Sequence, residues 1–364
     1  MFPRCDNKLI KNQSEQQYHS FFNKISNANH QTDGNNKVKN SKLKFFQTKE
    51  LTSDHDFPFN FKNTNWFVTI IYLATFILIP IIYSFVKVYG YHIDSDDAGA
   101  PWTTLNLVLI RLVPIIGMAI VFIIDWKAMT KYGAWAAYSH FLFGFLSAFI
   151  VVLFIEQTNL IDQEKNLPLF SAVSFLIQVV IQFIGSLIVV FTNKGLRKQI
   201  KATFKEAKMS LLLWVITFLI IVAILNLIFN TISNAVNQTN FFVTDNGESS
   251  NQHQLELMAT TPLGIFALIL GSIFLAPINE EISYRYGTFS IVRYKWLGYF
   301  ASAVYFPAMH IISSGDWNHI FGYLGMSLAA PLLFIIARGN TTYTIGLHML
   351  INTIATISLL ITVN

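Results

Sequence analysis

The residues best equipped for chemistry fall in the last third of the chain: Glu280-Glu281-x-x-x-Arg285, then His310, then His348-x-x-x-Asn352. Helical residues four apart share a face, so Glu281 and Arg285 are spaced for an ion pair, whereas Glu280, about 100° round the helix, points elsewhere. One carboxylate is thereby held by a guanidinium and its neighbour is left to handle a proton. The same interval puts the His348 imidazole and the Asn352 amide on one face. His310 follows the aromatic Phe306 by one turn. Carboxylates that move a proton, imidazoles that hold a water and an amide that stabilises an oxyanion are the parts of a hydrolytic site. Taken singly, each has a plainer reading: the acidic pair as a headgroup-level cap, His310 as packing, and His348 with Asn352 as a clamp between helices.

The elements that must position these groups are apolar. The chain has 364 residues, 53% hydrophobic and 12% charged, with 33 Phe and a mean hydropathy of +0.47. Soluble chains carry about 25% charged residues, so the composition excludes an ordinary soluble enzyme and implies an all-α, polytopic membrane helix bundle. Apolar runs of roughly 20 residues suffice to cross the hydrocarbon layer as helices. Five are expected at about Trp66 to Val86, Leu105 to Ile124, Trp135 to Phe154, Phe170 to Phe191 and Leu211 to Phe229. A sixth starts at Pro262, is interrupted by Pro277 and continues through Glu280 to Val292, followed by Leu297 to Ile312, Ile320 to Ile336 and Tyr343 to Ile361. The expectation is eight or nine transmembrane segments, depending on whether the last four all cross fully.

Four regions follow: a polar, flexible cytosolic tail over 1–65, five N-terminal helices over 66–230, an external loop over 231–260 with a turn at Asn246-Gly247, and a catalytic helical region over 261–364. In the tail, Lys42 and Lys44 flank apolar residues of an amphipathic stretch from Leu43 to Phe46. The connection from Lys194 to Lys208 holds Lys194, Arg197, Lys198, Lys201, Lys205 and Lys208 against Glu206, whereas the loop from Asp94 to Asp97 is acidic. Basic short loops face the cytoplasm, which puts the N-terminus on the cytoplasmic side of a cell membrane; Arg293 and Lys295 mark the same side. The net charge of +5 reflects this asymmetry and does not suggest nucleic acid. Cys5 is the only cysteine, so neither an intrachain disulfide nor a thiolate metal cage is available. The Asn/Lys- and Phe-rich composition resembles that of low-GC bacteria.

Other polar residues read more plainly: Asp125 and Glu156 at headgroup level, His319 beside Asp316 and Trp317 in a connection, and His140 as an isolated packing residue. Counting from Leu297, His310 falls about 20 Å from the membrane edge, too deep to meet Glu280 unless its helix tilts or the edge lies further along. Pro277, Pro307 and Gly346 offer kinks.

The ordered trio Glu280-Glu281-x-x-x-Arg285, Phe306-x-x-x-His310 and His348-x-x-x-Asn352 resembles the signature of the CAAX prenyl endopeptidase and bacteriocin-processing (CPBP, abortive-infection) family of intramembrane proteases. The resemblance covers about Pro262 to Ile361. It implies peptide-bond hydrolysis within the membrane, Glu280 activating a water, His310 orienting it or polarising the scissile bond, and His348 sharing that work. Asn352 would be the oxyanion donor, Arg285 would hold Glu281, and Phe306 would wall the site. Membrane lipid and a membrane-associated peptide or prenylated protein are the implied partners. No cofactor is favoured; the alternative is zinc, with His310, His348 and Glu280 as ligands. Two other readings compete: a noncatalytic immunity or scaffold protein that binds a peptide toxin or signalling partner, and a transporter with a carboxylate relay, against which no matched half-repeats are seen.

Overall fold

The computed structural model describes residues 51–59, 65–91, 100–156, 158, 161–162, 165–237, 249–315 and 317–363. The amphipathic stretch at Leu43 to Phe46, the acidic loop at Asp94 to Asp97, the turn at Asn246-Gly247 and Asp316 lie outside these residues.

Twelve helices are numbered here: α1 (Trp66–Gly90), α2 (Trp102–Ile124), the short α3 (Trp126–Thr130), α4 (Ala136–Ile155), α5 (Leu167–Thr192), α6 (Lys194–Glu206), α7 (Lys208–Val236), α8 (Ser250–Ala259), α9 (Pro262–Val292), α10 (Lys295–Ile311), α11 (Ile320–Ile336) and α12 (Thr341–Val363). No strand occurs among the described residues. Among the described residues, eight helices are long and apolar enough to cross a membrane. α10, with 17 residues, is the ninth apolar segment. Tyr294, which precedes it, stacks on Trp66 at the start of α1 with ring centroids 4.4 Å apart. Beyond its other end, the Ile312 carbonyl accepts from Ser84 Oγ at 3.0 Å, late in α1. α10 therefore runs alongside α1 over nearly its whole length.

Asp125 caps α3, accepting from the Ala128 N–H at 2.8 Å, the usual work of an aspartate at a helix start. The polar segment expected to form a tail over 1–65 does not stay polar to its end. Phe57 and Phe59 pack edge-on against Tyr286, Phe289 and Phe334, so apolar burial extends the bundle upstream of Trp66. Within 231–260, α7 continues to Val236 and α8 spans Ser250–Ala259, so most of the described part is helical.

Wide, π-helical turns interrupt several spans, and three of them end just before a proline. Leu73–Leu78 precedes Pro80, Leu107–Leu112 precedes Pro114, and Leu268–Leu275 precedes Pro277. A proline ring collides with the carbonyl four residues back and offers no N–H; widening the preceding turn relieves the collision without breaking the helix. In α9 a second wide stretch, Ile282–Gly287, follows directly after the acidic pair. The segment Ala276–Glu281 is thus bracketed on both sides.

Contacts from three neighbours fix the rotation of α9. Asn279 Nδ2 donates to the Val179 carbonyl of α5 at 3.2 Å, Ser283 Oγ to the Ala137 carbonyl of α4 at 3.1 Å, and Ser302 Oγ of α10 to the Tyr284 carbonyl at 2.7 Å. Gly287 allows a close approach to α4: a Cβ there would lie 2.2 Å from the Ala137 nitrogen, which is backbone and cannot rotate away. Gly287→Val is expected to destabilise the bundle by about 1–3 kcal/mol through overpacking, read as a lowered melting temperature in detergent. An unchanged melting temperature would mean that α4 and α9 are not held this closely.

Candidate active site

Glu281 and Arg285 are both fully buried, with the guanidinium Nη1 3.0 Å from Glu281 Oε1. The expected pairing on one helical face is present, as an ion pair rather than a well-aligned hydrogen bond, since Nη1 has no partner of hydrogen-bonding geometry. The face of the guanidinium rests on the Phe306 ring, 4.8 Å from its centroid. A buried charge needs a partner, and Arg285 has a carboxylate on one side and a π-face on the other.

Glu281 has a second partner. Its Oε1 lies 2.8 Å from His348 Nδ1, so the carboxylate accepts the Nδ1–H and leaves His348 Nε2 aimed elsewhere. A carboxylate behind an imidazole fixes both its orientation and its tautomer. Nε2 points toward Glu280, 3.9 Å from Oε2. From α10, His310 Nε2 approaches the same oxygen at 3.7 Å. Both separations exceed a direct hydrogen bond, and such polar gaps are commonly bridged by water. Glu280 is 8% exposed and His348 4%. His310 is stacked flat on Tyr323 of α11, centroids 4.7 Å apart and planes 3° apart, and meets the edge of Phe306 at 5.0 Å. The site is therefore assembled from α9, α10 and α12, with α11 clamping one imidazole.

The depth mismatch expected for His310 does not arise. α9 ends at Val292 as expected, which places Glu280 about 18 Å from the helix end, close to the figure for His310 in α10.

Asn352 is placed differently from its neighbours. Its Nδ2 donates to the Ser272 carbonyl at 2.8 Å, within the wide stretch of α9. There the Ala276 N–H bonds to the Gly271 carbonyl, five residues back. Continued by one residue, that ladder would join the Ser272 carbonyl to the N–H of residue 277, which as proline has none. The Asn352 amide supplies the missing donor from another helix.

His140, expected as an isolated packing residue, has neighbours of consequence. Its ring lies 5.1 Å from Tyr284, which itself packs on Phe306, and its Nε2 is 3.2 Å from the Gln182 side-chain amide. His140 also lines a cavity of about 420 Å³ between α1, α2, α4, α5 and α10. Reading residues by sequence distance alone misses this link, because α4 meets α9 only through tertiary packing. Polar residues at helical spacing within two apolar runs were the available signal.

His310 and His348 each approach Glu280 but, among the described residues, no three His, Cys, Asp or Glu side chains are grouped as a metal ion needs.

Residues 262–354 match the family described as type II CAAX prenyl endopeptidase Rce1-like. The C-terminal region is Rce1-like. The matched stretch contains Glu280, Glu281, Arg285, His310, His348 and Asn352. A protein of Mycoplasma capricolum subsp. capricolum, described as uncharacterized, is 27% identical over 337 residues, covering 88% of this chain and 96% of its own length. This similarity extends well beyond the Rce1-like region into the N-terminal helices, and its source agrees with the bacterial composition. No solved structure matches the chain. A multi-pass helical bundle whose Rce1-like region buries glutamate and histidine side chains fits a peptidase of the CAAX type.

Proposed function

We propose that the protein is an intramembrane endopeptidase that hydrolyses peptide bonds of membrane-associated peptides or prenylated proteins through a water activated by Glu280. The observation that carries this reading is the convergence of two imidazole Nε2 atoms on one oxygen of a buried glutamate, at 3.7 and 3.9 Å, with the adjacent glutamate engaged elsewhere.

In the proposed reaction a water bridges Glu280, His310 and His348. Glu280 takes its proton as the water oxygen attacks the scissile carbonyl carbon, and the same carboxyl passes the proton to the leaving amine as the C–N bond breaks. His348, held with its proton on Nδ1, accepts from the water through Nε2, and His310 orients the water or polarises the carbonyl. Asn352 has a second amide hydrogen beyond the one given to Ser272 and is the proposed oxyanion donor. Glu281 and Arg285 are positioning residues: they set the His348 ring and the pitch of α9. The N-terminus is assigned to the cytoplasm on the basic loops alone.

The test compares membrane peptides from cells carrying the intact protein with those carrying Glu280→Gln. A precursor peptide that accumulates only with the variant, at equal amounts of folded protein, is the expected result. Identical peptide profiles, with the variant stably inserted, would overturn the hydrolytic reading and favour a protein that binds without cleaving.

A further inference from the structure

The cavity lined by His140 also holds Arg111. Arg111 lies within the span Trp102–Ile124, about 13 Å in from its start, and among the described residues it has neither an ion pair nor a hydrogen-bond partner. An arginine at such depth is costly unless it serves a site. Arg111 shares this space with polar side chains: Gln178, Gln182 and Ser174 of α5 and His140 of α4 line it. Ser174 Oγ and His140 Nδ1 are buried there without a hydrogen-bond partner in the protein. Met309, the residue before His310, closes the cavity on the α10 side. The cavity and the Glu280 site therefore share His140 and the end of α10 as a wall.

We infer that this cavity is a substrate subsite in which Arg111 binds one carboxylate of an otherwise apolar peptide. A guanidinium forms a bidentate, charge-assisted pair with a carboxylate, and that pairing is strongest where water is excluded. Gln178, Gln182 and Ser174 supply neutral donors and acceptors suited to the peptide backbone. The inference rests on the peptidase reading above, and gives it a direction: the bound carboxylate anchors the chain on the α2 side while the scissile bond reaches α9 and α10. The carboxylate is either the peptide's own C-terminus or an acidic side chain, which the chemistry of Arg111 does not distinguish.

The test measures binding rather than turnover, on full-length detergent-purified protein carrying Glu280→Gln, so failure of the hydrolytic reading does not mask the outcome. Dye-labelled apolar octapeptides are compared by fluorescence anisotropy as three probes: free C-terminal carboxylate, C-terminal amide, and amide with one internal Asp. A carboxylate-bearing probe is expected to bind about tenfold or more tightly than the plain amide. That preference should vanish with Arg111→Gln and partly return with Arg111→Lys, at unchanged melting temperature. Preference for the free C-terminus assigns the subsite to chain ends, and preference for the Asp probe assigns it to acidic side chains. Equal binding of all three probes, or a preference that survives Arg111→Gln, would overturn the inference.

Discussion

Glu280→Gln is expected to lower the rate of cleavage of the accumulated precursor by about 10²–10⁴-fold, the range for loss of a general base. Glutamine keeps the shape of the side chain and can still hydrogen-bond a water, but cannot take its proton. Because Glu280 Oε2 has no hydrogen-bond partner within the protein, replacing it removes no direct contact of hydrogen-bonding length. The melting temperature should therefore stay within a few degrees of the parent. Single-turnover cleavage of the purified peptide in proteoliposomes gives the rate, and thermal unfolding gives the control. Full activity in the variant would remove Glu280 from the chemistry, whatever the fate of the other residues.

Arg285→Met should act in the opposite sense, on stability first. Both partners of the Glu281–Arg285 pair are fully buried, and removing one leaves an uncompensated charge in a low-dielectric interior, a loss of about 3–5 kcal/mol. Glu281→Gln combined with Arg285→Met removes both charges and is expected to recover much of that stability, because desolvated pairs are often replaceable by apolar groups of similar volume. Unfolding in a mixed detergent series measures both. Activity should not return in the double variant, since the His348 Nδ1–H then faces an amide and the tautomer is no longer fixed. A double variant as unstable as Arg285→Met would show that the arginine acts through Phe306 rather than through Glu281.

How far the sequence foretold this arrangement depended on the range of the interaction. Glu281 with Arg285 was legible because an interval of four in a helix brings the two together whatever surrounds them. The all-α membrane class was legible from composition alone. His348 with Glu281 was not, since the shared face of His348 and Asn352 says nothing about which glutamate it meets; here His348 bridges both and Asn352 turns to a backbone carbonyl. His140 and Arg111 stayed obscure because their value lies in a cavity bordered by five helices, and helix order does not determine helix adjacency. The end of α9 at Val292 was legible, but its wide turns have no periodic signature in an apolar run and were not.

The bond from Asn352 to the Ser272 carbonyl carries a thermodynamic signature of its own. If the asparagine replaces the N–H that Pro277 lacks, the two residues are energetically one unit though 75 positions apart. Asn352→Leu should cost about 1–3 kcal/mol while residue 277 is proline, because a buried carbonyl is left bare. With Pro277→Ala the main chain regains its own donor, and the same asparagine change should cost far less. A double-mutant cycle would report the difference as coupling, and a coupling near zero would mean that the carbonyl finds its partner elsewhere. The backbone of one membrane helix would then be completed by the side chain of another, so that α9 and α12 fold as a single cooperative element.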